Sequence, residues 1–198
     1  MMQQTALAQD RSWLASSSRR FALVIGATAF VALCAHISIP LGFTPVPITL
    51  QPFAVLLLGL LMTPRDSFSA LAVYLMAGAT GMPVFSPHGV GGLAQLFGPT
   101  GGYLLAAPFA AAIAGVLYRA AKQRAWAAFA GAAIGDLILL TTGALWLEVL
   151  THTSLSALLS VSVVPFLASD AAKVIAAAAC ALIFRSFTTR TSSPAQQN

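Results

Sequence analysis

PFLASDAAK, residues 165–173, opens the last long apolar run of the chain and sets an acid and a base inside it. A spacing of i,i+3 puts Asp170 and Lys173 on one helix face, within reach of each other. Ionisable side chains at membrane depth are rare, and they face a bundle interior or a water-filled cavity. The pair therefore has two readings. It is an internal salt bridge that fixes helix packing, or it is a grip on a polar ligand.

The composition supports membrane depth. Of 198 residues, 58% are hydrophobic and 8% charged, against roughly 45–50% and 25% in soluble domains. A mean hydropathy of +0.85 and several long apolar runs describe an integral membrane protein. The length suits one helical bundle, with no room for a soluble catalytic domain. The net charge of +5 comes without a basic stripe interleaved with aromatics, so no nucleic-acid partner is expected. Cys34 and Cys180 lie in apolar runs and read as buried small hydrophobes. The polar start and the lack of a small-residue cleavage site argue against a cleaved signal peptide.

Residues 1–20 read as a disordered cytosolic tail ending in Arg19 and Arg20. The first span is expected at residues 21–38, stopped by Pro40. Ala22, Gly26 and Ala29 give it a small-residue side that admits another helix closely. LGFTPVPIT (41–49) is a loop, because Pro45 and Pro47 forbid helix. Two shorter apolar helices follow, at 50–62 and 68–79. Residues 81–100, GMPVFSPHGVGGLAQLFGPT, fit no regular element. Such backbone is tolerated at membrane depth only where protein buries it or where it lines a cavity. Further spans are expected at 101–118, 126–147 and 165–184, with a short interfacial helix at 155–164. The expected fold is an all-α membrane protein: one six-helix domain over 21–187, with a second cytosolic tail at 188–198.

Charge placement orients this bundle. Nine of the ten basic residues fall before span 1, between spans 2 and 3, between 4 and 5, or after span 6. The intervening loops carry none, so both termini are expected in the cytoplasm of a multi-pass cell (inner) membrane protein. The tenth, Lys173, lies about two turns into span 6 from the outer end. Asp170, Lys173, the proline loop and the glycine-rich segment thus gather in the outer half, as an outward-facing pocket. Its candidate polar groups are Gln51, Ser86, Thr100, Tyr103, Asp170 and Lys173, with Phe43, Phe53 and Phe85 as walls. One cation, one anion and hydrogen-bonding groups among aromatic walls suit a small, partly apolar carboxylate with N–H and C=O groups.

Four segments carry a family resemblance: PVPITLQP (45–52), GMPVFS (81–86), GPTGGYL (98–104) and PFLASDAAK (165–173). In this order and spacing they resemble the BioY family, the substrate-binding components of energy-coupling-factor (ECF) biotin transporters. The resemblance implies a six-helix fold that binds biotin from outside. It also implies an energy-coupling transmembrane partner and ATPase subunits, or self-association in members that act alone. Carried over by position, it implies Gln51, Tyr103, Asp170 and Lys173 as ligand residues, with Phe85, Ser86 and Thr100 beside them. Biotin's ureido ring offers two N–H donors and a carbonyl, and its tail ends in a carboxylate. Asp170 or Gln51 can accept from the ureido, and Lys173 can donate to an anion or a carbonyl. Either end of biotin satisfies Lys173 at this stage.

Two rivals compete. One is a relative that carries another small vitamin. The other is an intramembrane aspartyl protease using Asp136 and Asp170 as a dyad. Gly135-Asp136 hints at that group, but Ala133 stands where its motif needs glycine, and Lys173 beside Asp170 opposes a shared proton. Asp136, midway along span 5, reads as a functional acid or as a hydrogen-bonded packing residue. His36, His88 and His152 lack ligand spacing, so no metal is expected, and Glu148 reads as a solvated interfacial acid. No phosphate-binding loop of the G-x-x-x-x-G-K-[ST] type occurs, so no cofactor is expected and ATP hydrolysis would fall to partner subunits.

Overall fold

The structure, a computed structural model, describes residues 2–191. Helices dominate it, in the order α1 (Met2–His36), α2 (Gln51–Leu61), α3 (Pro64–Ala79), α4 (Gly92–Leu96), α5 (Gly101–Ala120), α6 (Ala125–Thr151), α7 (Leu155–Ser162) and α8 (Val164–Thr191). Each expected span falls on a helix. Among the described residues, four stretches are long and apolar enough to cross a membrane: Ser17–His36, Gly101–Ala120, Ala125–Thr151 and Val164–Phe187. With 11 and 16 residues, α2 and α3 rise only about 16 and 24 Å. They pack against α1 and α5, and α2 also meets α6 and α8. Phe21, Leu23, Leu33, Leu137, Leu145, Ile175, Ile183 and Phe184 turn apolar side chains outward, as lipid-facing surfaces require.

The local outcome departs from expectation in several places. Residues 2–20, expected as a disordered tail, continue α1; no glycine or proline interrupts the chain before Gly26, and Ala, Leu, Gln and Arg favour helix. Residues 192–198 of the expected C-terminal tail lie outside the described residues. The first span ends at His36, because Ser38–Ile39 (β1) pairs antiparallel with Ile48–Thr49 (β2), Ser38 opposite Thr49. The proline loop is thereby closed into a hairpin. α3 begins at Pro64, four residues earlier than expected. Thr63 caps it, accepting from the Asp66 N–H at 3.2 Å and donating to Asp66 Oδ2 at 2.7 Å, with Pro64 preset for the first turn. The glycine-rich segment holds the one-turn helix α4, entered through Gly91 and Gly92 at φ +72° and +61°, a region open to glycine. Cys34 is buried as expected, whereas Cys180 faces outward.

α5 is the spine, packed on α2, α3 and α6. Its Ala106, Ala107, Ala110, Ala111 and Ala114 are buried. A Cβ on Gly59 of α2 would stand 2.5 Å from the Ala111 carbonyl oxygen, so the two backbones touch. Contacts this close are how membrane helices gain dispersion energy where lipid removes the hydrophobic drive. Basic side chains tie one end of the bundle. Arg20 pairs with Asp66 at 3.1 Å. The Arg119 guanidinium donates to the Gly115 carbonyl at 3.1 Å and to that of Met62. Arg185 donates to the Gln123 carbonyl.

Candidate functional site

At the other end, the starts of α2, α5 and α8 converge on the middle of α6 around one cavity. Val46, Pro47 and Thr49 of the hairpin line it beside Gln51, Pro52 and Val55 of α2. Ser86, Gln95 and Thr100 enter from the glycine-rich segment, Tyr103 and Leu104 from α5. The far wall is Asp136, Leu139 and Leu140 of α6 with Phe166, Asp170 and Lys173 of α8.

Six of the seven residues named from sequence therefore share one cavity: Gln51, Ser86, Thr100, Tyr103, Asp170 and Lys173. Phe85 does not. Its ring turns away to pack edge-on against Tyr74, centroids 5.3 Å apart, over Gly78. Nor do the other expected aromatic walls line it. Phe43 is exposed, and Phe53 packs into the cluster that α2 makes with α6 and α8. The aromatic surfaces are instead Tyr103 and Phe166, centroids 6.5 Å apart.

The charged pair is the site's polar centre. Lys173 Nζ donates to Asp170 Oδ1 at 2.8 Å, and the two residues are 8% and 7% exposed. Ser169, absent from the sequence reading, joins them. Its hydroxyl lies 3.3 Å from Asp170 Oδ1 and 3.5 Å from Lys173 Nζ, and it donates to the Phe166 carbonyl at 2.9 Å. An ammonium has three donors and a carboxylate two oxygens. One Lys173 N–H and Asp170 Oδ2 thus remain unused by the described residues. Removing a charged pair from water is costly unless every polar atom finds a partner.

The remaining groups differ in what they can still offer. Tyr103 is committed: its hydroxyl donates to the Ser162 carbonyl at 3.0 Å. Its ring lies on Gly143, where a Cβ would come within 2.2 Å. The Ser86 hydroxyl is buried and has no hydrogen-bond partner among the described residues. Gln95, left open by sequence, is 3% exposed and accepts the Gly91 N–H at 3.1 Å, which holds the glycine-rich turn over the cavity. Trp146 Nε1 donates to the Gly98 carbonyl at 3.0 Å. Gly102 sits flat against Trp146, with 2.3 Å to its Cβ for any added methyl. The run Gly-Gly-Tyr at 101–103 is thus shaped by close approach to α6.

Among the described residues no group of His, Cys, Asp and Glu could hold a metal ion. His36 bonds its own helix at Ala32, and His152 caps α6 with a left-handed backbone, φ +49°.

The sequence model of the BioY family matches residues 3–190. The chain is 39% identical over 155 residues to the biotin transporter BioY of Thermotoga maritima, covering 78% of this chain and 89% of that one. It is 36% identical over 153 residues to the biotin transporter BioY2 of Lactococcus lactis subsp. cremoris, covering 77% and 82%. Among solved structures it resembles the S-component for biotin from an ECF-type ABC transporter. That match has a TM-score of 0.80 and 26% identity, over 87% of this chain and 93% of the other.

Proposed function

The chain belongs to the BioY family, and from that premise we propose how its cavity serves the family's task. The protein takes up biotin as the substrate-binding component of an ECF-type transporter. The residues that grip the vitamin are Asp170 and Lys173, with Gln51, Ser86 and Thr100 around it and Tyr103 as a wall. One observation carries this assignment: a buried ion pair with unused bonding capacity and an unpartnered serine hydroxyl open into the same cavity. A ligand with N–H, C=O and carboxylate groups would complete those bonds. An empty, apolar-walled pocket would leave them unmade at a cost.

The cavity end faces outward in this reading, and the end carrying Arg20, Arg119 and Arg185 faces the cytoplasm with both termini. Six helical passes follow, with α2 and α3 completed across the bilayer by their caps and loops. The domain limits stand at 21–187, flanked by cytosolic tails at 1–20 and 188–198. Ala22, Gly26 and Ala29 are exposed on α1, and no atom lies within 4 Å of a Cβ placed on Gly26. This face suits an energy-coupling membrane partner, or a second copy where the protein acts alone. ATP hydrolysis belongs to partner ATPase subunits, and this chain needs no cofactor of its own.

This transporter family leaves no role for the protease dyad, and the geometry gives it none. Asp170 is held by Lys173 at 2.8 Å, which opposes sharing a proton with Asp136. Titration calorimetry of detergent-purified protein with biotin tests the assignment. Saturable heat and a thermal upshift are expected. Silence toward biotin with a clear response to another vitamin would overturn it.

A further inference from the structure

Asp136 is the cavity acid that the Asp170–Lys173 pair does not use. It lies midway along α6, in a stretch that spans the membrane, and it makes no hydrogen bond or salt bridge with any described residue. It lines the central cavity and also a second recess between α6 and α8. Apart from Asp170, that recess is walled by apolar side chains such as Leu137, Leu167, Val174 and Ile175. Polar partners for Asp136 are therefore to be found only on the central side. The backbone that carries the acid is fixed in place. Next to it, Gly135 is pressed onto α2 and α5, with 2.8 Å to a Leu56 methyl and 3.1 Å to the Ala110 carbonyl oxygen for an added Cβ.

Resting on the biotin reading, we propose that Asp136 is a further ligand-contacting and specificity-determining residue, whose carboxylate accepts N–H from the ligand's ureido head. The charge count points the same way. Lys173 is already matched by Asp170 at 2.8 Å, so Asp136 is the cavity's uncompensated acid. An acid held at membrane depth without a partner is costly until a donor meets it. An N–H-bearing head supplies that donor. A carboxylate brought to the same place would meet like charge, so the tail of the ligand lies away from α6.

The test compares biotin with 2-iminobiotin, in which a guanidinium replaces the ureido carbonyl. Both are titrated by calorimetry into wild type and Asp136→Asn, with melting temperature recorded for each protein. The asparagine keeps the shape and removes the charge. Biotin is expected to bind at least about tenfold more weakly to the variant. Iminobiotin should lose more, because a guanidinium–carboxylate pair is charge-assisted and bidentate. Unchanged biotin affinity in a folded Asp136→Asn protein would overturn the inference alone. So would equal losses for the two ligands, which mark a shape effect. A wild type silent toward biotin would overturn the underlying assignment as well. Should Asp136→Asn fold poorly, Asp136→Glu keeps the charge but moves it, and the same two-ligand comparison decides.

Discussion

Removing Asp170 and Lys173 singly and together separates a ligand grip from a packing device. Both side chains are nearly inaccessible and bonded at 2.8 Å. Breaking such a pair from one side strands a buried charge, at about 3–5 kcal/mol. Removing both with apolar residues of similar size is often neutral or stabilising. The two single changes should not be equal. Lys173→Met leaves Asp170 and Asp136 in one cavity without a cation, whereas Asp170→Asn leaves Lys173 with Asp136 still present. Lys173→Met is therefore the more destabilising. Binding follows a different rule, because methionine and asparagine cannot replace a charged donor or acceptor. Each lost charge-assisted contact should weaken biotin by about 1.5–3 kcal/mol, roughly ten- to a hundredfold. The assay is melting temperature and biotin titration on the two single variants and on Asp170→Leu with Lys173→Met. The expected double variant melts near wild type and binds poorly. Near-normal affinity in that folded protein would refute the grip and leave a salt bridge that only fixes packing.

Two further outcomes follow from groups already placed. Ser86 has no partner in the unliganded cavity, so Ser86→Ala should leave melting unchanged and weaken biotin by about 0.5–1.5 kcal/mol; a lower melting temperature with intact affinity would make it a packing residue. Gly26→Leu meets nothing within 4 Å and gains helix propensity of nearly 1 kcal/mol, so the isolated protein should melt no lower and bind biotin normally. Its recovery with a coupling partner should fall, and parallel loss of both would make this face part of the core.

The parts of this structure legible in sequence are those set by patterns along the chain. Apolar length located the helices, and the i,i+3 spacing of Asp170 and Lys173 gave their contact. The proline and glycine motifs marked the segments that close over the cavity. The parts that escaped depend on contacts between distant segments. Phe85 sits beside Ser86, which lines the cavity, yet its ring packs under Tyr74 because Gly78 leaves it room. No local pattern reports that. Gln95 was hidden for the same reason, since its role rests on the Gly91 N–H in a positive-φ turn. The start of α3 could have been read. Thr63-Pro64-Arg65-Asp66 is a capping sequence, and it starts the helix four residues ahead of the apolar run beginning at Phe68. Asp136 lies midway along α6, but its neighbours on α8 lie more than thirty residues along the chain.

The cavity is built from two kinds of wall. One wall is fixed. α2, α5 and α6 touch through Gly59, Gly135 and Gly143 with no room for an added carbon, and Tyr103 is tied to the Ser162 carbonyl. Packing this close has discrete arrangements and does not deform smoothly. The other wall is the hairpin 38–49 and the segment 81–100, which reach the bundle through the buried side chains of Val46, Phe85, Gln95 and Leu96 and through the hydrogen bond from Trp146 to the Gly98 carbonyl. The charged pair stands near the start of α8, which packs on α2 and α6. Recognition by the charged pair and cover by the hairpin and the glycine-rich segment are thus carried by different parts of the chain.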